Sequence, residues 1–287
     1  MLESRKKGIL ATIIAALLWS TAGLFIKLVT LDAFTILFYR SFFAGLLFLI
    51  IYKTKLLKIN KLTIIGALFY APLVICFVTS TKLTSAANAI FLQYAAPAYV
   101  LLLEPLVLKT KLRPINVITV ILCLLGMSLF LFDQFERPDS MLGTGLAVFA
   151  GFMLAGLMLT QRKNTADYQV STLFLGNLIV VIATIPWLIT SPLPSINEWW
   201  ILMFLGFVQL GFGFLLFTYG QRYITAIESS LLAMLEPLLN PIWVVIGYGE
   251  IPTKWAIMGG IVILGSLIFR IVWMEMTKPK KTILQNN

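Results

Sequence analysis

The sequence predicts an all-α membrane protein of ten transmembrane helices, arranged as two inverted five-helix repeats around a central cavity. Three observations lead there. The 287 residues are 60% hydrophobic and 12% charged, with a mean hydropathy of +0.95, whereas a soluble domain is roughly 45–50% apolar and about 25% charged. Ten apolar runs succeed one another, each close to the roughly 20 residues a helix needs to cross a hydrocarbon core of about 30 Å. Finally, the block 82–103 returns as 222–243: Lys82 stands opposite Arg222, Ser85 opposite Thr225, Ala86 opposite Ala226 and Pro97 opposite Pro237. Five crossings per copy is an odd number, so the second copy must run upside down. Barrel strands would be shorter and would alternate in polarity, which these runs do not.

The first run, 9–28, follows Arg5, Lys6 and Lys7. It is longer than a signal-peptide core and no small-x-small cleavage site follows, so it reads as an uncleaved helix. Trp19, Ser20 and Thr21 fall at its centre. The second run, 34–52, carries Arg40, which is expected near the outer end, to snorkel or to pair with a loop acid such as Asp32. The third, 62–81, has Tyr70 and Pro72 at its middle, and the fourth, 84–108, gathers Asn88, Gln93, Tyr94 and Pro97. Glu104, toward the inner end of the fourth, is expected to pair with Lys109 and Lys111. The fifth run is 115–132. The acidic, proline-containing stretch 132–141 then divides the chain into a first repeat, 1–136, and a second, 137–287, which together form one functional domain.

The second copy continues with 143–160 and 171–190, where Asn177 holds a place roughly corresponding to Arg40. The linker from Ser191 to Glu198 is turn-rich, and Trp199 and Trp200 behind it suit the headgroup level, where indole satisfies both an apolar body and a polar N–H. The eighth run, 199–219, has Gln209 at its centre. The ninth, 225–248, opens on Glu228, which suits a helix N-terminus, and carries Glu236, Pro237 and Asn240; the tenth is 254–273. Glycines at 206, 211, 213, 259, 260 and 265 let helix backbones approach one another. Cys76 and Cys123 fall inside helices as packed thiols, which leaves no disulfide framework.

The formal charge of +10 is topological and does not point to nucleic acid. With the N-terminus in the cytoplasm, the loops bearing Lys53, Lys55, Lys58, Lys61, Arg162, Lys163 and Arg222 all fall inside. Only Lys27, Lys82, Arg137 and Lys254 fall outside. That is the positive-inside bias, at roughly four to one, and it makes both termini cytoplasmic. Membrane lipid is therefore a partner and nucleic acid is not. The absence of histidine removes Ser-His and Cys-His nucleophiles, zinc sites of the HExxH kind and histidine proton relays. No P-loop is present, so no nucleotide hydrolysis by that route is expected. The chain is expected to be no enzyme and to need no cofactor or metal.

What remains are polar groups at mid-bilayer depth. Pro97 and Pro237 each lack an N–H and push away the carbonyl four residues earlier, those of Gln93 and Ala233. A free carbonyl in hydrocarbon must be re-paired or line a cavity. Glu236 costs roughly 2.5–3.5 kcal/mol at that depth and needs a partner, which Asn240, one turn on, is placed to supply. Alternatively, Glu236 binds a substrate amino group or carries a coupling proton. The candidate substrate-binding set is Trp19, Ser20, Tyr70, Gln93, Tyr94, Gln209, Glu236 and Asn240, with Pro97 and Pro237 as the kink pair. Interrupted helices in an inverted duplication mark secondary carriers.

Ala15–Ser20 (AALLWS), Tyr39-Arg40, Thr84–Ala89 (TSAANA) leading to Pro97, and Leu235-Glu236-Pro237 followed by Gly249-Glu250 resemble the drug/metabolite transporter superfamily, in its EamA-like ten-helix branch. The resemblance spans nearly the whole chain. It implies alternating access without ATP, with a small-molecule substrate, an amino acid or related metabolite, and export favoured. It also implies a coupling proton or counter-substrate, and residence in a bacterial inner membrane. A carrier or flippase for a lipid-linked metabolite is the alternative, and a non-transporting membrane scaffold is another. Ala96 stands opposite Glu236 and Thr110 opposite Glu250, so the two copies do not carry matching acids.

Overall fold

The computed structural model describes residues 2–108, 113–136, 141–224, 229 and 232–277. The first apolar run is broken at Thr21 into α1 (Leu2–Ser20) and α2 (Ala22–Leu28). Asp32 caps α3 (Ala33–Tyr52) by accepting from the N–H groups of Phe34 and Thr35, two of the donors a helix start leaves without partners. A 3₁₀ turn, Lys53–Leu57, follows. Asn60 and Thr63 form a reciprocal cap at the start of α4 (Lys61–Leu83), which continues through Pro72. Ser85 caps α5 (Ala86–Gln93), and α6 (Ala96–Leu108) completes the fourth run. Next come α7 (Pro114–Glu136), α8 (Met141–Lys163) and α9 (Ala166–Thr190).

The eighth run starts as α10 (Ile196–Met203), with Ser195 and Glu198 in a capping box. It passes through a π-helical segment, Phe204–Phe212, and ends as α11 (Gly213–Gly220). The ninth run is represented by α12 (Leu235–Tyr248), closed by Gly249 at φ 76°, the left-handed cap that glycine adopts without penalty. Thr253 caps α13 (Lys254–Met276). No strand occurs among the described residues. Among the described residues, eight helices are long and apolar enough to cross a membrane, and 114–130 makes a shorter apolar helix. The chain is thus an integral, multi-pass membrane protein. Lys109, Thr110, Lys111, Arg137 and Glu228, and the side chain of Glu104, lie outside the described residues.

The packing partners come in matched pairs. The third run (α4) lies on the sixth and seventh (α8, α9). The eighth (π segment and α11) lies on the first and second (α1, α3). The fourth (α5, α6) lies on the sixth (α8), and the ninth (α12) on the first (α1, α2). Second meets seventh (α3, α9), and fifth meets tenth (α7, α13). Adding five to each run number, and counting round from ten to one, exchanges the first six of these pairs among themselves and returns the last two, second with seventh and fifth with tenth, to themselves.

The two prolines sit where sequence reasoning put them, with a sharper outcome than a kink. The fourth run breaks outright, with turn geometry at Tyr94 and Ala95, three and two residues before Pro97. The ninth breaks at Met234, three residues before Pro237. Each proline then lies in the first turn of the helix that follows, where its missing N–H costs nothing.

Candidate functional site

The two breaks face each other. The Tyr94 hydroxyl donates to Oε2 of Glu236 at 2.6 Å and lies 3.4 Å from the Ala233 carbonyl. The carbonyl that Pro237 displaces therefore faces a phenol from the other broken helix. Glu236 itself starts α12, where the free N–H groups of a helix start favour an acid. Sequence reasoning offered Asn240 as its partner. The structure supplies Tyr94 instead, and Asn240 points elsewhere: it is fully buried against Gly23, and neither of its side-chain polar atoms has a hydrogen-bond partner among the described residues.

Arg40 is the main correction. It neither snorkels nor pairs with Asp32, which is occupied in capping α3 and in accepting from the hydroxyls of Thr35 and Ser191. At about 1.5 Å per residue, Arg40 stands roughly 10 Å along its helix, and it is 4% exposed. Its Nη2 donates to Oε1 of Gln209 at 3.0 Å, and Gln209 in turn donates to the Trp19 carbonyl at 3.3 Å. Tyr70 and Glu236 lie within electrostatic reach of the guanidinium. Tyr70 accepts a hydrogen bond from Asn177 at 3.0 Å.

Around this centre, the Ser20 hydroxyl accepts from the Trp243 indole at 2.9 Å and donates to the Leu17 carbonyl. The Trp19 ring packs on Phe217 at 5.0 Å between centroids. Gln93 stands at the break of the fourth run, and its Oε1 has no hydrogen-bond partner among the described residues. Of the candidate set, Tyr94 with Glu236, and Trp19 with Gln209, are joined directly; Tyr70 joins through Arg40 and Asn177. Arg40, Asn177 and Trp243 are the members sequence reasoning did not place here. The signal that points to Arg40 is that it is the one charged residue of the run 34–52, as Gln209 is the one side-chain amide of the run 199–219, and in a membrane each must find a partner.

Polar contacts gather at one end of the molecule, several of them joining residues before 137 to residues after 140. Lys27 Nζ meets Glu250 Oε2 at 2.7 Å and the Thr84 carbonyl at 2.8 Å. Glu250 Oε1 accepts from the Ala86 N–H, at the start of α5, at 2.8 Å. Glu198 accepts from both the N–H and the hydroxyl of Thr30, and Lys82 donates to the Val29 carbonyl. Asp32, in the loop at this end, has its carboxyl raised by burial but lowered more strongly by hydrogen bonds from Thr35, Ser191 and Phe34. The net result lies below the ordinary value of 3.8. At the other end a cavity of about 400 Å³ is lined by Tyr52, Lys55, Gln169, Thr218, Gln221 and Arg222, among others.

A multi-pass helical chain whose broken helices meet at a buried polar centre, with polar contacts gathered at one end and a cavity at the other, has the build of a membrane transporter. The EamA-like transporter family model matches residues 6–132 and 141–272, and the chain belongs to that family. It is similar to an uncharacterized transporter of Archaeoglobus fulgidus, 26% identical over 93% of this chain and 97% of the relative. It is also similar to the pseudopaline exporter CntI of Pseudomonas aeruginosa, 23% identical over 93% and 97%. One solved crystal structure superposes with a TM-score of 0.63 at 18% identity, covering 93% of this chain and 98% of the other.

Proposed function

We propose that this transporter is a secondary carrier for a small polar or amphipathic metabolite, an amino acid or related compound, with export as the favoured direction. It works by alternating access without ATP, through ten helices in two inverted five-helix repeats, 1–136 and 137–287. The observation that carries the reading is the Tyr94–Glu236 hydrogen bond, which joins the broken helix of one half to the broken helix of the other. Such breaks are where carriers build their sites. The matched packing pairs and the two stretches of family match support the repeat. Lys82 and Arg222, paired by sequence, sit at opposite ends, one beside Val29 and the other beside Tyr52, which supports the inversion. Both termini are cytoplasmic in this reading, in a bacterial inner membrane, and the name of the Pseudomonas relative favours export.

In this reading Trp19, Ser20, Tyr70, Gln93, Tyr94, Gln209, Glu236 and Asn240 line or frame the substrate site, with Pro97 and Pro237 holding the breaks. Glu236 meets an amino group or exchanges a coupling proton as the halves rock. Thermal stabilisation of the purified protein by a panel of amino acids and related metabolites finds the ligand, since a compound that binds the folded state raises its stability. Transport of that compound into proteoliposomes is then compared for the wild type and Glu236→Gln. Loss of transport, or a changed pH dependence, is expected; unchanged uptake, pH profile and affinity would refute the role of Glu236. The flippase alternative has one observation in its favour, an apolar cavity of about 520 Å³ between α12 and α13 that reaches Phe91. Its named lining is wholly apolar, which suits an acyl chain and offers nothing to a headgroup.

A further inference from the structure

We propose that Arg40 is the anion-reading group of this site, and that the cargo presents a carboxylate to it. The inference rests on the transporter reading and deepens it. A guanidinium in the core of a membrane protein is costly and is ordinarily paid down by an ion pair or a full set of hydrogen bonds. Arg40 has neither. Its Nη2 meets the neutral amide of Gln209, while Nε and Nη1 have no hydrogen-bond partner among the described residues. Those two nitrogens carry three N–H groups between them. An arginine kept only for packing would turn them onto helix carbonyls.

The surroundings hold the guanidinium in place without neutralising it. Gln209 lies in the π-helical segment, and π-bulges are frequent at functional sites. The same amide is anchored on the Trp19 carbonyl. Gly206, in that segment, lets it press against the arginine's own turn of α3: a Cβ there would stand 2.8 Å from the Arg40 carbonyl and 2.4 Å from Phe43. Position and orientation of the arginine are thus fixed by two other helices. Glu236 is within electrostatic reach, but its Oε2 is engaged by Tyr94, and Nε and Nη1 remain without a partner. Asn177, bonded to Tyr70 beside the guanidinium, keeps Oδ1 unpartnered as well. A charged donor set, buried and with two nitrogens lacking partners among the described residues, matches a small carboxylate, whose oxygens accept charge-assisted hydrogen bonds.

The test uses acetate, with acetamide as its uncharged counterpart, on the purified full-length protein in lipid nanodiscs. Saturation-transfer NMR on the methyl signal reads contact. Acetate contact is expected with the wild type and not acetamide contact. Arg40→Gln should weaken acetate binding roughly 10- to 100-fold, the scale of losing one charge-assisted hydrogen bond. Arg40→Lys, which keeps the charge and loses the planar donor set, should weaken it less. Should Arg40→Gln fail to fold, Arg40→Lys and the acetate–acetamide pair decide. No acetate contact, equal contact for acetamide, or contact indifferent to every folded Arg40 variant overturns the proposal. The transport measurements above stand apart: acetate binding without any transport would sink the carrier reading and leave the anion site intact. Transport of a metabolite without a negatively charged group, with no acetate binding, would do the reverse.

Discussion

The Lys27–Glu250 pair gives the most quantitative test of how the two halves are joined. The side chains are only 11% and 12% exposed, with N and O 2.7 Å apart. At an effective dielectric of about 20, that separation corresponds to an attraction of roughly 6 kcal/mol, much of it offset by the desolvation of both ions. Replacing one partner removes the attraction and keeps the desolvation of the other. Glu250→Gln leaves Lys27 with the Thr84 carbonyl and the face of the Tyr248 ring, and Lys27→Met leaves Glu250 with the Ala86 N–H. Each single change should cost about 3–5 kcal/mol. The double variant removes both charges and should cost far less than the sum, with a coupling of roughly 2–3 kcal/mol. Unfolding of the purified protein, by heat or denaturant, measures all four corners of the cycle. Additive losses, or singles within about 0.5 kcal/mol of the wild type, would refute the idea that this pair bolts α2 to the end of α12.

Two further changes probe packing and charge. Gly23→Ala should destabilise by about 1–3 kcal/mol, the usual cost of overfilling a packed interior: its methyl would stand 2.4 Å from Asn240 Oδ1, and thermal unfolding should fall accordingly. Asp32 supplies a pH signature. Its folded-state value is depressed below 3.8, so its contribution is fully present above 3.8 and is lost as pH falls through the lower folded value. Asp32→Asn should remove that part of the acid-side decline in melting temperature; an unchanged profile would show that the hydrogen bonds from Thr35 and Ser191 do not favour the ionised form.

Local rules made much of the architecture legible. Hydropathy and length marked the spans, since a membrane leaves the backbone few alternatives. A proline in the middle of an apolar run announced each break, and the constant offset between Pro97 and Pro237 announced that the breaks are equivalent. What stayed hidden depends on distance in sequence. Arg40 was misplaced because a position seven residues into a helix suggests the interface, whereas its partner Gln209 lies 169 residues away. The π-helical segment around Gln209 has no proline to signal it, and its glycines read equally well as packing positions. Glu236 and Tyr94 were both visible as polar residues at the right depth, yet nothing in either run says that they touch. Lys27 looked like one of a few loop cations on the sparse side of the charge count, and its acid is 223 positions further on.

The mismatches between the copies acquire a physical sense from these contacts. Across the interface, three acids of the second half, Glu198, Glu236 and Glu250, accept from the first: from the backbone and hydroxyl of Thr30, the phenol of Tyr94, and the ammonium of Lys27 with the Ala86 N–H. Gln209 of the second half likewise accepts from Arg40 of the first. In the other direction Asp32 of the first half accepts from the Ser191 hydroxyl of the second. Two identical copies would present acid to acid at symmetry-related places, which is destabilising at short range. Ala96 opposite Glu236 removes one such clash. In the proposed repeat, duplication supplies the equivalent helices and breaks, and the substitutions turn a symmetric pair of surfaces into complementary ones. The proposed alternating access, with one half moving against the other, requires charge-assisted contacts such as Lys27–Glu250 to break, and those contacts are where a bound cargo would have to act to favour one state over the other.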